Sequence, residues 1–240
     1  MQAIIMAAGK GSRLGDLTNN KPKSFIEIEG KKLIEYNLGM LSKYGIKDVV
    51  IVTGYMAEEF ERLLSNREGI NFSFNPFYDT TNVLPSFWFG QDLLNDDFIY
   101  MHADTLCDTE IFEELLSHDG EIVLPTDFSP CDEEAMKVKL INDEVKFINK
   151  TMNPESADGE FIGIAKISKK CIPAIRSITN QIMKEQKFSS FFEVALQEIM
   201  DKNLCKVTTI PTRNKFWCEI DFEEDYERAK EEISENLLKL

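Results

Sequence analysis

Residues 2–15 read QAIIMAAGKGSRLG, an apolar run that ends in a loop rich in glycine and positive charge. The apolar run predicts a short buried strand. In the loop that follows, glycines allow backbone N–H groups to approach an anion closely, and Lys10 and Arg13 can neutralise its charge. A second basic segment, KPKSF at residues 21–25, contains Lys23. This stretch therefore predicts a strand that opens into a phosphate-binding loop.

The loop differs from two other phosphate-binding motifs. A dinucleotide-binding fingerprint needs the pattern G-x-G-x-x-G after a strand, whereas Leu14 stands at the third glycine position and Gly15 comes one place late. Because no G-K-[ST] closes the loop, it is not a Walker A sequence either. A flexible turn without a ligand is the simplest alternative. The glycines, two cations and the following Pro22-Lys23 together favour a phosphate site.

The order of apolar patterns predicts a mixed α/β domain. In the first half we expect buried strands at residues 3–7, 49–53, 71–75 and 98–102, alternating with helices at 33–44, 57–64, 86–94 and 109–117. Such alternation is typical of right-handed βαβ units with a parallel sheet. The second half predicts strands at 121–124, 136–141, 145–149, 161–167, 207–210 and 217–220, with helices at 169–184, 190–201 and 223–238.

Composition and charge narrow the class of protein. The chain has 240 residues, of which 43% are hydrophobic, and its net charge is −15, which argues against nucleic acid or an anionic membrane as a partner. We expect no signal peptide and no membrane insertion, because no apolar run reaches the ~20 residues that a span needs. The five cysteines are scattered without a C-x-x-C pair, which indicates reduced thiols of a cytoplasmic protein rather than disulfides or a zinc site.

Residues 7–14, together with KPK at residues 21–23, resemble the signature of the nucleotidyltransferase family. Its members include sugar-1-phosphate nucleotidylyltransferases and phosphocholine cytidylyltransferases. The resemblance implies a Rossmann-like (GT-A-like) architecture, in which a mixed, mainly parallel sheet is flanked by helices. It also implies an NTP substrate, Mg²⁺, and pyrophosphate as the leaving product. We expect one domain over residues 1–240, with the nucleotide-binding core at 1–125 and an acceptor-binding part at 126–240.

The resemblance assigns roles to the basic residues and the glycine loop. During nucleotidyl transfer, charge accumulates on phosphoryl oxygens and calls for cations. Arg13 is expected at the β- and γ-phosphates, and Lys23 between the α-phosphate and the acceptor. The implied nucleotide-binding residues are Ala7, Ala8, Gly9, Lys10, Gly11, Ser12, Gly54, Tyr55, Asn82 and Ser86. For Asn82 and Ser86 the alternative is a turn and a helix cap.

Two aspartates are expected to hold the metal. Asp104 follows the predicted strand at 98–102, at the edge where α/β sheets bind ligands, and Asp221 lies in WCEID at residues 217–221. Both match metal-binding positions of the family, and carboxylate oxygens are ligands that Mg²⁺ prefers. The alternatives are a turn or helix cap for Asp104 and the N-cap of the last helix for Asp221. His102 is expected to be structural.

The acceptor is the part of the substrate pair that the sequence specifies least. Likeness to cytidylyltransferases implies CTP, with phosphocholine, 2-aminoethylphosphonate or phosphoglutamine as acceptors of that subfamily. Phosphocholine enzymes carry a tryptophan in the region that corresponds to residues 131–141, where this chain has none. Lys137 and Lys139 share one face of the predicted strand and would suit a carboxylate, which favours L-glutamine phosphate, used in capsule phosphoramidate modification. A solvated strand face is the alternative for both lysines.

Two further residues are candidates at the acceptor. Lys150 aligns with a lysine that meets the acceptor phosphate in the sugar enzymes, and Trp217 is a candidate wall of the pocket or a core residue. A sugar-1-phosphate acceptor is the runner-up among enzymes. A non-catalytic nucleotide sensor is the competing class, although such modules usually lose the cations or carboxylates that this chain keeps. The oligomeric state stays open.

Overall fold

The structure is a computed structural model that describes residues 1–234. Its strands are β1 (Gln2–Ala7), β2 (Glu27–Ile28), β3 (Lys31–Lys32), β4 (Asp48–Thr53), β5 (Ile70–Phe74), β6 (Phe98–His102), β7 (Thr105–Cys107), β8 (Ile122–Asp127), β9 (Lys137–Ile141), β10 (Glu144–Asn149), β11 (Gly159–Phe161), β12 (Ile164–Ile167), β13 (Val207–Pro211) and β14 (Trp217–Glu219). Its α-helices are α1 (Leu33–Lys43), α2 (Ala57–Leu64), α3 (Val83–Gly90), α4 (Thr109–Ser117), α5 (Ile172–Lys184), α6 (Phe192–Asp201) and α7 (Glu223–Ser234).

A single mixed sheet runs through both halves of the chain. Its ten strands lie in the order β11-β9-β10-β13-β8-β12-β6-β1-β4-β5. Strands β6, β1, β4 and β5 are parallel, as is the pair β8–β13, whereas β12 joins the two parts by antiparallel pairing with β6 and β8. The predicted mixed sheet is therefore confirmed, with parallel pairing concentrated in the N-terminal half.

Apolar side chains cover both faces of this sheet. On one face, Leu33 of α1, Phe60 of α2 and Phe112 of α4 are buried in one core cluster. On the other face, Phe87 of α3 and Leu196 of α6 belong to a second cluster. Because helices protect both faces, the central strands are apolar along their whole length, and all six residues of β1 are buried. This matches the expected layers of helix, sheet and helix.

Several predicted boundaries differ from the structure for local reasons. The strand expected at 161–167 is two strands, because Gly163 adopts a φ of 79° and turns the chain between β11 and β12. Helix α3 begins at Val83 rather than residue 86, because the Asn82 side chain accepts a hydrogen bond from the Val83 backbone N–H. Strand β7 was not predicted. Of the helix expected at 223–238, residues 235–238 lie outside the described residues.

The small sheet of β7 and β14 positions the site. These strands pair antiparallel, with Glu219 opposite Thr105, and the Ile220 N–H donates to the Asp104 carbonyl at 3.1 Å. The end of β14 is thereby placed beside the turn that follows β6. Within residues 1–234, the helices are all too short or too polar to cross a membrane.

Candidate active site

The glycine loop after β1 is shaped around the side chain of Lys23. Gly11 adopts a φ of 72°, and a Cβ there would lie 2.7 Å from the Lys23 Cβ. Any side chain at this position would therefore strain the backbone and collide with the lysine. After Gly11 the chain forms a 3₁₀ segment, Ser12–Thr18, in which Leu14 is buried and the Thr18 hydroxyl donates to the Gly11 carbonyl. The loop and Lys23 thus form one packed unit.

The Lys23 ammonium lies between the two predicted metal-binding aspartates. Its Nζ is 2.5 Å from Asp104 Oδ2 and 2.5 Å from Asp221 Oδ1, and its side chain is only 12% exposed. Burial opposes the charge of this lysine, but the charges of Asp104 and Asp221 and the hydrogen bonds to them outweigh burial and raise its pKa. The lysine therefore stays protonated, and the three groups form a charged cluster at the end of the sheet.

Asp221 is available for this cluster because another residue caps the last helix. The Asp225 carboxylate accepts hydrogen bonds from the backbone N–H groups of Asp221 and Phe222, at 3.0 and 2.9 Å. An acidic side chain that reaches back in this way satisfies the first N–H groups of a helix. Asp221 itself is therefore not the N-cap of α7, contrary to the alternative interpretation of its role.

The glycine loop carries two further cations, of which Arg13 lines the cleft and Lys10 does not. Arg13 Nη1 is 3.4 Å from Asp221 Oδ2, and its guanidinium lies over the Phe222 ring at 5.5 Å. Lys10 lies over the Tyr55 ring at 5.6 Å. Exposed pairs of this kind contribute little to stability. Arg13 is thus held loosely, and its charge can be offered to an anion that enters the cleft.

The carboxylates of Asp104 and Asp221 fit a hard divalent cation. They approach the same point from two different strand ends, and the Lys23 ammonium already holds a positive charge there. Mg²⁺ takes oxygen ligands and commonly uses one or two carboxylates together with substrate phosphates. Two carboxylates that already converge on one cation are therefore suitable ligands for such an ion.

His102 links this cluster to the floor of the cleft. Its Nδ1 lies 3.0 Å from Glu219 Oε1, and its Nε2 lies 2.9 Å from the Tyr100 hydroxyl. Burial disfavours the charged ring, but the hydrogen bond and the charge of Glu219 prevail and raise the pKa of His102 to about 9. The Tyr100 ring in turn stacks on Phe192 at 4.2 Å. His102 is thus an imidazolium that lines the cleft and orients Glu219.

Beyond the aspartate pair, the cleft is strongly acidic. It encloses about 640 Å³. The carboxylates that line it beyond Asp104 and Asp221, its acidic wall, are Asp127, Asp132, Glu134, Glu160, Glu193, Glu219 and Asp225, and the cations that line it besides His102 are Arg13, Lys150 and Arg228. Burial, followed by the charges of Asp132, Glu219 and Asp127, raises the pKa of Glu160 to about 7. Such repulsion between carboxylates is relieved when a cation binds among them.

Glu193, at the start of α6, is the most buried member of this wall. It is 2% exposed, and its Oε2 has no hydrogen-bond partner among residues 1–234. Burial raises its pKa, and the charge of His102 opposes this effect. A buried carboxylate oxygen without a partner is costly in a folded protein and needs an explanation. A positively charged ligand group in the cleft would provide the missing partner.

The structure places half of the 18 predicted site residues on the wall of the cleft. Those that line the cleft are Ala8, Gly9, Arg13, Asn82, Ser86, Asp104, Lys150, Trp217 and Asp221, whereas Ala7, Lys10, Gly11, Ser12, Lys23, Gly54 and Tyr55 are not part of its wall. Asn82 and Ser86 also have structural partners: Asn82 caps α3, and the Ser86 hydroxyl accepts from Asn75 Nδ2 at 2.9 Å. The alternative interpretation of Asn82, a helix cap, is therefore correct.

Lys137 and Lys139 require a correction, because neither lines the cleft. Lys137 is fully buried, and its Nζ donates to the carbonyl oxygens of Glu133, Ala135 and Lys150. Lys139 is paired with Asp158 at 2.7 Å. Lys137 therefore secures the chain around β9 from within, and neither lysine can serve as the expected carboxylate-binding group.

The acidic wall is what sequence reasoning missed. Glu160 and Glu193 lie far apart in the chain and belong to no motif, in a sequence with 42 acidic residues. The signal in the sequence was the position of Glu193 directly after Phe191-Phe192, because an acidic residue within an apolar segment is unusual.

Comparison with known proteins places this geometry in context. Residues 2–121 match the family described as Nucleotidyl transferase. The chain is 28% identical to a CTP:phosphoglutamine cytidylyltransferase of Campylobacter jejuni subsp. jejuni serotype O:2, over 95% of the chain and 98% of that relative. It is 38% identical to a choline-phosphate cytidylyltransferase of Haemophilus influenzae, over 49% of the chain and 50% of that relative.

A solved structure shares the fold along the whole chain. The CTP:phosphocholine cytidylyltransferase of Streptococcus pneumoniae superposes with a TM-score of 0.80 at 24% identity, covering 97% of this chain and 98% of that one. At this level of identity, the likeness shows a common architecture.

Proposed function

Because this chain belongs to the nucleotidyl transferase family, we propose that it transfers CMP from CTP to a small phosphorylated acceptor and releases pyrophosphate. The observation that carries the proposal is the position of Lys23 between Asp104 and Asp221, packed against the glycine loop. A catalytically silent sensor has no need of this charged cluster. The choice of CTP is supported by the cytidylyltransferase relatives.

Residues of this chain can supply the groups that nucleotidyl transfer requires. Backbone N–H groups of the glycine loop would hold the phosphates, and Arg13 would neutralise charge on the departing pyrophosphate. Lys23 stays protonated and would offset charge that develops at the α-phosphate. Asp104 and Asp221 would hold Mg²⁺, which supplies a Lewis acid that polarises phosphoryl oxygens when bound. No covalent nucleophile is required, since positioning and electrostatics suffice for phosphoryl-type transfer.

The acidic wall supports an acceptor that carries an ammonium group. Glu160 and Glu193 would attract a cation and repel a second anion, so the acceptor phosphate must lie toward Lys23 and Lys150 and its amine toward the wall. A phosphorylated amine or amino acid has this polarity, whereas a sugar phosphate lacks the positive end. L-glutamine phosphate is our preferred acceptor, supported by the relative that aligns over almost the full chain. Phosphocholine and 2-aminoethylphosphonate are the alternatives.

The test is pyrophosphate release by the purified protein, with each NTP crossed against L-glutamine phosphate, phosphocholine, 2-aminoethylphosphonate and glucose-1-phosphate. We expect release with CTP and an amine-bearing acceptor, in the presence of Mg²⁺ and not with EDTA. Asp221→Asn serves as an inactive control. Release with glucose-1-phosphate alone would reject the amine acceptor, and CTP binding without turnover in any combination would favour a sensor.

A further inference from the structure

A second cluster of metal-binding side chains lies at the opposite end of the sheet. Glu121 directly precedes β8, Cys171 directly precedes α5, and Cys205 lies two residues before β13. One ligand atom from each, a carboxylate oxygen and two sulfurs, lies within 4.8 Å of both others. None of the three lines the catalytic cleft. Because β8 has six residues, its Asp127 end, which does line the cleft, is roughly 17 Å away.

Backbone and side-chain hydrogen bonds fix the positions of these three residues. The Glu121 carboxylate accepts from the Lys206 N–H at 2.8 Å, which leaves its other oxygen available. The Glu121 carbonyl accepts from the Ser168 N–H at 2.8 Å and from the Cys171 thiol at 3.8 Å. Three segments distant in sequence are thus tied together around the sulfurs. Ligands that are already oriented in this way bind a metal with little rearrangement.

The donor set suits zinc better than a hard cation. Thiolates are soft ligands that select Zn²⁺, and a carboxylate oxygen is an accepted third ligand. With Zn–S bonds of about 2.3 Å in a tetrahedral site, two sulfurs lie roughly 3.8 Å apart, which is compatible with the upper limit of 4.8 Å found here. Cys205 and Glu121 reach solvent, whereas Cys171 is fully buried, so an ion would enter from the side of the glutamate.

Although the cysteine spacing in the sequence predicted no zinc site, we propose that Glu121, Cys171 and Cys205 form one, with two thiolates, one carboxylate and a water as the fourth ligand. On binding, each thiol gives its proton to solvent as its sulfur–zinc bond forms, and a carboxylate oxygen of Glu121 completes the protein ligands. The ion would join the starts of β8, α5 and β13, and so would brace the half of the sheet that carries the acidic wall. This site is independent of the nucleotidyl transfer proposed above.

The probe is Co²⁺ added to the reduced, metal-free full-length protein. We expect sulfur-to-cobalt charge-transfer absorption and the intense visible bands of tetrahedral Co²⁺, both lost on addition of one equivalent of Zn²⁺. Native mass spectrometry should show one tightly bound Zn²⁺ per chain after removal of loosely held ions. Absence of thiolate bands in the wild-type protein would overturn the proposal, as would a Cys171–Cys205 disulfide that persists in reductant.

Matched variants separate this site from other cysteines. Cys205→Ser should abolish the charge-transfer bands, and Glu121→Gln should weaken Co²⁺ binding by tenfold or more. Cys131→Ser, which removes a half-buried thiol elsewhere, should leave the spectrum unchanged. Because Cys171 is fully buried, Cys171→Ser is interpreted only if its circular dichroism matches the wild type. Retention of the bands in Cys205→Ser would reject the assignment.

Discussion

Lys23 and Asp221 are separated by 198 residues in the sequence, yet the lysine Nζ lies 2.5 Å from Asp221 Oδ1. The contact joins the glycine loop of the first half to the strand end of the second half. It also means that the ammonium and a divalent cation would compete for the same carboxylate oxygens. Occupation of Asp104 and Asp221 by Mg²⁺ would release Lys23 toward the substrate phosphates.

Replacement of the lysine tests this competition. We expect Lys23→Gln to lower kcat by about 10² or more, because a preorganised charge near the reacting phosphate is lost. Without the ammonium, Asp104 and Asp221 repel each other, so Mg²⁺ should raise the Tm of this variant more than that of the wild type. Thermal unfolding with and without Mg²⁺, plus pyrophosphate release, measures both. Lys21→Gln is the control, and an equal Mg²⁺ effect on all three proteins would contradict the shared site.

Substitution of Asp225 should lower the stability of the protein, whereas substitution of Asp221 should lower its activity. Asp225→Ala removes the cap of α7 and should cost about 1 kcal/mol of unfolding free energy, or about 2–4 °C in Tm for a chain of this size. Asp221→Asn removes a charge partner of Lys23 but no helix cap, and it should abolish most of the activity. Calorimetry and steady-state kinetics on the two variants check this separation. An unchanged Tm in Asp225→Ala would contradict its role as the cap, and full activity in Asp221→Asn would contradict its role in the site.

The pH dependence of acceptor binding should report Glu160. Its pKa of about 7 means that the carboxylate is largely protonated at pH 6 and ionised at pH 8. An ammonium-bearing acceptor binds the ionised form, so kcat/KM for that acceptor should rise as pH increases through 7. The phosphate of the acceptor ionises in the same pH range. The pH profile of the wild type is therefore compared with that of Glu160→Gln, in which the rise in kcat/KM should be smaller. Parallel profiles for the two proteins would exclude Glu160 from the acceptor site.

Glu193 should affect the acceptor and not the nucleotide. Glu193→Gln cannot provide a charged partner for an ammonium, so we expect KM for an amine acceptor to rise about 10-fold or more, since a charge-assisted hydrogen bond contributes about 1.5–3 kcal/mol. KM for CTP should be unchanged. Glu198→Gln is the matched control on the same helix, because its carboxylate pairs with Lys202 away from the cleft. Equal effects on both KM values would indicate a general distortion of the site.

The His102–Glu219 pair should make stability depend on pH at the alkaline end. Because the pKa of His102 is raised from its ordinary 6.5 to about 9 in the folded protein, its contribution is fully present below pH 6.5 and is lost as pH rises through 9. The loss should be on the order of 3 kcal/mol. Urea unfolding at pH 6, 8 and 10 should therefore show a steeper decline for the wild type than for His102→Asn. His118→Asn is the control, and its stability should decline with pH as steeply as that of the wild type.

The sequence predicts the fold well where local pattern and tertiary structure agree. The apolar run before Gly9 indicated β1, and the family, its mixed sheet and its enzyme class are confirmed. Asp104 and Asp221 were expected at one site because they belong to motifs, and the structure brings both to Lys23, while their role as metal ligands stays a prediction. The turn at Gly163 was missed, since a single glycine within an apolar segment does not reveal its φ.

The acceptor end of the cleft was predicted wrongly for a physical reason. Lys137 and Lys139 lie on a strand whose two-residue period was read correctly, but the period does not say which face is solvated or what covers it. The chain around β9 folds over Lys137 and supplies three carbonyl acceptors to it. Conversely, Glu160 of β11 and Glu193 of α6 both line the cleft, and no local pattern in the sequence contains this long-range arrangement.

Gly9 and Gly11, the first two glycines of the loop, are constrained by different neighbours. A methyl group on Gly11 would collide with Lys23, whereas one on Gly9 would have no protein atom within 4 Å, although Gly9 lines the cleft. Position 11 is therefore constrained from inside the protein: a change at position 23 would remove the collision, but the φ of 72° would still favour glycine. Position 9 is constrained from outside, by whatever molecule occupies the cleft. In a set of related sequences, variation at residue 11 should thus track the lysine, and variation at residue 9 should track the substrate.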